Sequence, residues 1–256
     1  MSMSSLQTVR SMVSQFDPIF LYEMDAVKLM DRIDMKFILP FEQFTGILPQ
    51  LAQNYKVLTM DDNRVFSYQT DYYDTPDLNM FYDHHNGRLT RFKVRHREYI
   101  ESQLGFLEVK FRSNKGRIIK ERIKYQNQNN QSFAGFIEKH TPYNPGKLTC
   151  TVVNHFNRFT LVDHGLKERV TTDFNISFTD KLRNIFLNGL VIIEIKQARA
   201  DKTSLIYQAL KKNNIRPTSI SKYCVGVSLL NDMSKNNNFK QILLQINKLS
   251  HVEFTA

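Results

Sequence analysis

Polar and apolar positions alternate with period two through eight stretches of the chain. They are RIDMKFIL (32–39), VFSYQTDYY (65–73), RLTRFKVRHREY (88–99), GFLEVKFR (105–112), RIIKERIKYQ (117–126), TVVNHFNRFTLV (151–162), ERVTTDFNISF (168–178) and GLVIIEIKQ (189–197). Successive strand side chains point to opposite faces, so this pattern predicts eight β-strands, each with two unlike faces. Periodicity near 3.6 predicts helices over 41–54, 202–213 and 219–233, and a weaker one within 17–30. The polar run QNQNNQS (126–132) reads as a loop. KNNN (235–238) reads as a linker to a short amphipathic helix bearing Phe239, Ile242, Leu243, Ile246 and Leu249. The expected organisation is an N-terminal helical segment over 1–30, one domain over 31–234 and a C-terminal helical tail over 235–256.

Within the strands the charges keep to one face. Arg32, Asp34 and Lys36 share a face, as do Arg91, Lys93, Arg95 and Arg97, then Glu108, Lys110 and Arg112. Lys120, Arg122 and Lys124 continue the series, followed by Arg158, by Arg169 with Asp173, and by Glu194 with Lys196. The opposite faces carry Ile33, Met35 and Phe37; Leu107, Val109 and Phe111; Val170, Phe174 and Ile176; and Val191, Ile193 and Ile195. Those faces are apolar enough to pack against helices, so the charged faces are not simply the outside of a sandwich. Closing the sheet into a barrel would turn fourteen cations and four acids inward around a wet channel. Desolvation and repulsion oppose burying them empty. A chain of phosphates filling the bore would offset that cost, through charge-assisted hydrogen bonds from Arg and Lys. The alternative is an antiparallel sheet with one solvated face. RFKVRHR (91–97), with a cation at every second position and no acid between, argues against it.

Composition narrows the partners. The 256 residues carry 35 Lys and Arg against 25 Asp and Glu, a net charge of +10 that favours polyanions. The cations alternate within strands and lack the aromatic stacking pattern of a single-strand groove, so nucleic acid is not expected. Only Cys150 and Cys224 are present, without a CxxC, which fits a reducing, cytoplasmic setting. No window approaches the ~18 apolar residues of a membrane span. Neither GxxxxGK[ST] nor GxGxxG occurs, so P-loop and dinucleotide binding have no support.

In their order and spacing, RIDMKFIL, YYDTPDLNMFY (72–82), RFKVRHREY, FLEVKF, HFNRF, ERVTTDF, VIIEIK and SISKYCVGV resemble the triphosphate tunnel metalloenzymes. Within that group the chain is similar to the VTC-like polyphosphate polymerase domains, over about residues 30 to 232. The resemblance implies an α+β fold, an eight-stranded antiparallel β-barrel with flanking helices. It also implies binding of a nucleoside triphosphate and polyphosphate through inward cations. Lys36 resembles the first-strand lysine, Lys93 and Arg95 the basic pair of the third strand, and Lys110 the lysine of the E-x-K strand. Lys120 resembles the lysine of the next strand, Arg158 the phosphate-contacting arginine, and Lys222 the lysine of the closing helix. Arg32, Arg91, Arg97, Arg122, Arg169 and Lys196 are further candidate phosphate contacts. Glu194 resembles the carboxylate that holds Mn²⁺ or Mg²⁺, with Glu108 and Asp173 as second candidates that could equally be ion-pair partners of the lysines. The chain departs from the broader group in carrying Arg32, Asp34 and Lys36 where E-x-E-x-K is usual, which favours the polymerase-like branch. Ser219 stands where a second closing-helix lysine is expected.

Each candidate also has an ordinary role. Glu194 could simply pair with Lys196, and Lys222 could be a surface lysine. The seven histidines have no zinc spacing and read as surface or packing residues. Asp74 is expected to cap the turn at Thr75 and Pro76. The activity implied by the resemblance is metal-dependent phosphoryl transfer from a nucleoside triphosphate, ATP foremost, to polyphosphate. A triphosphate or tripolyphosphate hydrolase and a non-catalytic polyphosphate-binding module are the alternatives, and no protein partner is specified.

Overall fold

The computed structural model describes residues 2–24, 33–125, 130–231 and 235–255. Arg32 and the second half of the weak helical stretch at 17–30 lie outside them. In chain order the elements are α1 (Ser2–Val13), β1 (Asp17–Phe20), β2 (Ile33–Pro40), α2 (Phe41–Ile47), β3 (Tyr55–Thr59), β4 (Phe66–Asp74) and α3 (Asn79–His85). There follow β5 (Arg91–Tyr99), β6 (Leu104–Arg112), β7 (Ile118–Lys124), α4 (Asn130–His140), β8 (Thr149–Asp163), β9 (Glu168–Thr179), β10 (Asn184–Asn188) and β11 (Leu190–Gln197). The chain ends with α5 (Leu205–Lys212), α6 (Lys222–Leu230), α7 (Lys240–Leu249) and β12 (His251–Thr255).

All eight alternating stretches are strands. They form one antiparallel ribbon in the order β2-β11-β9-β8-β4-β5-β6-β7. Four short strands add to its ends: β1 pairs β3, β3 pairs the end of β8, and β10 joins β9 to β12. The α+β class stands, but the barrel is looser than expected, because the sheet has twelve strands and no pairing closes β2 onto β7 among the described residues. The ribbon is curled nonetheless. Lys36 of β2 donates to the carbonyl of Ile220 at 3.2 Å, and Lys93 of β5 to Oγ of the adjacent Ser221 at 2.9 Å. Strands well separated in the ribbon thus meet at one dipeptide.

The convex face is apolar, as the alternation predicts. Phe37, Val170, Phe174, Val191, Ile193 and Ile195 are buried against Val9 and Val13 of α1, Phe44 and Ile47 of α2, and Ile206 and Leu210 of α5. Val94, Leu107 and Val109 are buried beneath Phe136 and Ile137 of α4, a helix that the polar run at 126–132 conceals from a sequence reading. The stretch at 17–30 holds the strand β1 where a weak helix is expected.

Ile176 departs from its expected face. At Asn175 (φ 51°) strand β9 carries one more residue than β8, since His155 pairs Ser177 while Asn157 pairs Phe174. A bulge of this kind swaps the alternation, so Ile176 and Phe178 turn to the concave side and pack with Ile38, Phe156 and Ile192 against α6. The concave face is therefore split. One end is filled by α6, and the other is lined with charge. Ser221 caps α6, and Tyr223, Cys224, Val227 and Leu230 are all buried.

Gly226 sets how closely α6 sits in the curl. A Cβ there would lie 2.7 Å from Phe178 Cδ1 and 2.8 Å from Val152 Cγ1. Ala normally stabilises a helix interior over Gly by ~0.5–1 kcal/mol, but overpacking costs about 1–3 kcal/mol. Gly226→Ala should therefore lower stability by about 1 kcal/mol or more in urea titrations. A stabilised variant would show that the helix is not seated this tightly.

Candidate functional site

Strand register places the predicted residues on one surface. Across β5 and β6, Arg91 stands opposite Arg112, Lys93 opposite Lys110 and Arg95 opposite Glu108. Lys110 then stands opposite Lys120, and Glu108 opposite Arg122. On the other arm Arg158 faces Asp173, Glu194 faces Lys36 and Lys196 faces Arg169. Every predicted site residue within the described range thus lies on the concave side or, for Lys222, on the helix inserted there.

Three carboxylates each bridge two cations. Asp173 accepts from Arg158 at 2.5 and 2.8 Å and from Lys222. Glu108 accepts from Arg95 at 2.6 Å and from Lys120. Glu194 accepts from Lys196, with Lys36 3.8 Å away. Burial opposes ionisation of all three, yet the paired cations outweigh it. Arg95 and Lys120 bring Glu108 down to about 2, and Asp173 and Glu194 are likewise held well below the carboxylate range. Burial acts oppositely on the lysines, whose charged form it disfavours. Lys93, Lys120, Lys196 and Lys222 are each pushed down to about 8, and Lys110 is lowered too.

Several contributors are not apparent from the alternation alone. Tyr68 and Phe156 stack at 5.1 Å beneath the cations. The Arg97 guanidinium lies 5.7 Å from the Tyr68 ring centre, that of Arg158 5.3 Å, and the Lys222 ammonium 4.0 Å from that of Phe156. Cation–π attraction steadies charges that have left water. Thr70 accepts from Arg97 at 3.1 Å. Asp173 was visible only as a secondary acid, and its pairing with both Arg158 and Lys222 needs the fold.

Asp74 does more than cap its turn. Fully buried, it accepts from the amides of Thr75, Met80 and Phe81 at 2.7, 3.0 and 2.9 Å and from the Tyr223 hydroxyl. The YYDTP segment thereby fixes α6, which carries Lys222 and whose lead-in residues Ile220 and Ser221 anchor Lys36 and Lys93.

Among the described residues, no three His, Cys, Asp or Glu side chains gather into a metal cage. Mg²⁺ and similar ions take one or two carboxylates and complete their shell with water and phosphate oxygens. The side chain of Glu194, 20% exposed against 2% for Glu108, suits that sparser mode better. A cavity of about 280 Å³ lies elsewhere, between α4 and the convex side of β5–β7, lined by Phe92, Val109, Phe111 and Ile119. No described helix is long and apolar enough to cross a membrane.

Known proteins resemble the chain chiefly in fold. HpAC1 of Hippeastrum, assigned as an adenylyl cyclase with a dominant triphosphatase activity, superposes with a TM-score of 0.51 at 13% identity, over 77% of this chain and 95% of that one. An assigned adenylate cyclase of Vibrio parahaemolyticus covers 75% of this chain and 95% of its own at 13% identity, but its TM-score of 0.45 carries no argument. Part of the human mitochondrial glutamyl-tRNA(Gln) amidotransferase, one of its component polypeptides, is 36% identical over 61 residues. That match spans 23% of this chain and 45% of that polypeptide, too little to bear on the site. The profile of the VTC domain matches residues 31–231, which hold all eight strands of the ribbon and helix α6. The chain belongs to the VTC domain family.

Proposed function

We propose that the concave face binds a nucleoside triphosphate, ATP foremost, together with a polyphosphate chain, and transfers the γ-phosphoryl group to the chain end. The observation that supports this most directly is the charge excess. Each of three carboxylates already bridges two cations, yet Arg91, Lys93, Arg97, Lys110 and Arg112 share the same surface. Phosphate oxygens answer that excess better than further carboxylates, because they accept from several Arg and Lys donors at once.

Phosphoryl transfer asks a protein mainly for alignment and charge neutralisation. Lys36, Lys93, Arg95, Lys110, Lys120, Arg158 and Lys222 are assigned to the reacting phosphates. Arg32, Arg91, Arg97, Arg122, Arg169 and Lys196 are assigned to the remainder of the polyanion. Glu194 would hold Mn²⁺ or Mg²⁺, which supplies further charge neutralisation when bound. A terminal phosphate oxygen attacks the γ-phosphorus in line, the bond to the β–γ bridging oxygen breaks, and the nucleoside diphosphate leaves with that oxygen. Water in the attacking position yields orthophosphate instead. With radiolabelled ATP and Mn²⁺ the expected product is a ladder of long chains on a gel, whereas orthophosphate alone would identify a hydrolase.

A second reading, a polyphosphate-binding module without turnover, draws on the engagement of Glu194 with Lys196 and Lys36. Glu194→Gln separates the two. An enzyme should keep its polyphosphate affinity within about threefold and lose most of its turnover, as expected when a transition-state interaction is removed. A module shows no turnover even in the unaltered protein.

The lysines set a pH dependence. Lys93, Lys120, Lys196 and Lys222 lose their protons around pH 8, so tripolyphosphate affinity should weaken between pH 7 and 9. Bound phosphates raise those values again, so binding near pH 8 should take up protons, seen as calorimetric heats that depend on the buffer. A flat affinity without proton uptake would count against these assignments. For the fold without a bound polyanion the sign reverses: a lysine held below its unfolded value costs stability while charged, so stability rises as pH passes through 8.

A further inference from the structure

Rows of side chains that run across the strands are unevenly compensated. In one row Arg95, Glu108 and Arg122 stand side by side on β5, β6 and β7, with an acid between two cations. In the next, Lys93, Lys110 and Lys120 stand opposite one another with no acid in register. Beyond it, at the rim where β5 begins and β6 ends, Arg91 opposes Arg112. Directly opposed like charges destabilise an antiparallel pair, and here two such rows are adjacent. Lys120 leans back to Glu108 and Lys93 reaches Ser221. At the rim Arg91 donates to the carbonyl of Arg88 at 2.7 Å, a neutral acceptor that leaves the charge uncompensated.

His84, on α3 a short loop before β5, lies within electrostatic reach of these cations. Its Nδ1 is buried without a hydrogen-bond partner, and its ring stacks on Phe239 with centroids 6.0 Å apart. Burial, then Lys93, Arg91, Lys36 and Arg112, keep it neutral, lowered to about 3. A neutral imidazole adds no repulsion among these cations and still offers one N–H. A buried polar atom without a partner is costly, and its presence calls for a ligand or another account.

We infer that Arg91, Arg112 and His84 form a distal anion subsite at the rim, which takes a phosphate group of a chain longer than a triphosphate. The inference rests on the polyphosphate reading above and adds to it a place where length is sensed. Two guanidiniums offer bidentate forks to phosphate oxygens, and the imidazole N–H supplies a third donor.

Calorimetric titration of the full chain with tripolyphosphate and with long-chain polyphosphate tests it. Arg112→Ala and His84→Ala should each lose about tenfold in affinity for the long chain and under about twofold for tripolyphosphate, the loss expected for one charge-assisted contact made only by the longer ligand. His84→Gln, which keeps an N–H donor, should recover most of the long-chain affinity, and thermal midpoints verify that each variant is folded. Equal losses on both ligands, or none on the long chain, would overturn the subsite while leaving the polyphosphate reading intact. An unaltered protein that binds neither polymer would overturn both.

Discussion

Like charges gathered on one concave face repel, and the way this chain offsets that repulsion governs the rest of its architecture. Asp173, Glu108 and Glu194 each hold two cations, so none of these three carboxylates serves a single partner. The arrangement is compact, but among the described residues it leaves more cations than carboxylates on that surface. Removing Asp173 would strand Arg158 and Lys222, both largely withdrawn from water, a larger loss than breaking an isolated pair. The convex face answers a different demand, apolar burial against four helices, and this frees one end of the concave face to be specified by charge.

Helix α6 ties the two demands together. Its apolar positions fill one end of the curl, and the dipeptide that leads into its first turn holds lysines from opposite arms of the ribbon. Asp74 is the remote support of that turn. Though it lies on β4 and touches no site cation by hydrogen bond, it joins the Tyr223 hydroxyl to the amides that begin α3. The YYDTP segment, which carries no plain chemistry, is thereby linked to the site through a buried tyrosine. Tyr72 of the same segment stands opposite Arg95 in register and packs its ring on Tyr223 at 5.3 Å, so alternate residues of one short stretch border a strand cation and support the helix.

The eight strands and their charged faces were legible because period-two alternation survives wherever one face is apolar. RFKVRHR and VIIEIK show it without ambiguity. The short strands YKVLT, NIFLN and HVEFT were not legible, because five residues with mixed patterning give too little signal and form only at the ends of longer neighbours. Helix α4 was hidden by its polar entry. At the site, the predicted cations were readable one by one, but their sharing of carboxylates was not, since pairs such as Lys222 with Asp173 join residues 49 apart in the chain. The aromatic floor of Tyr68 and Phe156 was missed because two rings in separate strands look like ordinary core. The degree of closure could not be read either, for alternation says which way a side chain points and nothing about which strands are left as edges.

The extra residue in β9 has an evolutionary corollary. Before Asn175 the strand must deliver Asp173 inward to its cations. After it, the same strand must deliver Ile176 and Phe178 inward to a helix. A single count of residues thus synchronises an ionic half with a greasy half. Across descendants of such a strand, identities can drift so long as polarity is kept, but a one-residue deletion would swap inside for outside over half its length. Selection on this segment should therefore fall more heavily on its length than on its letters.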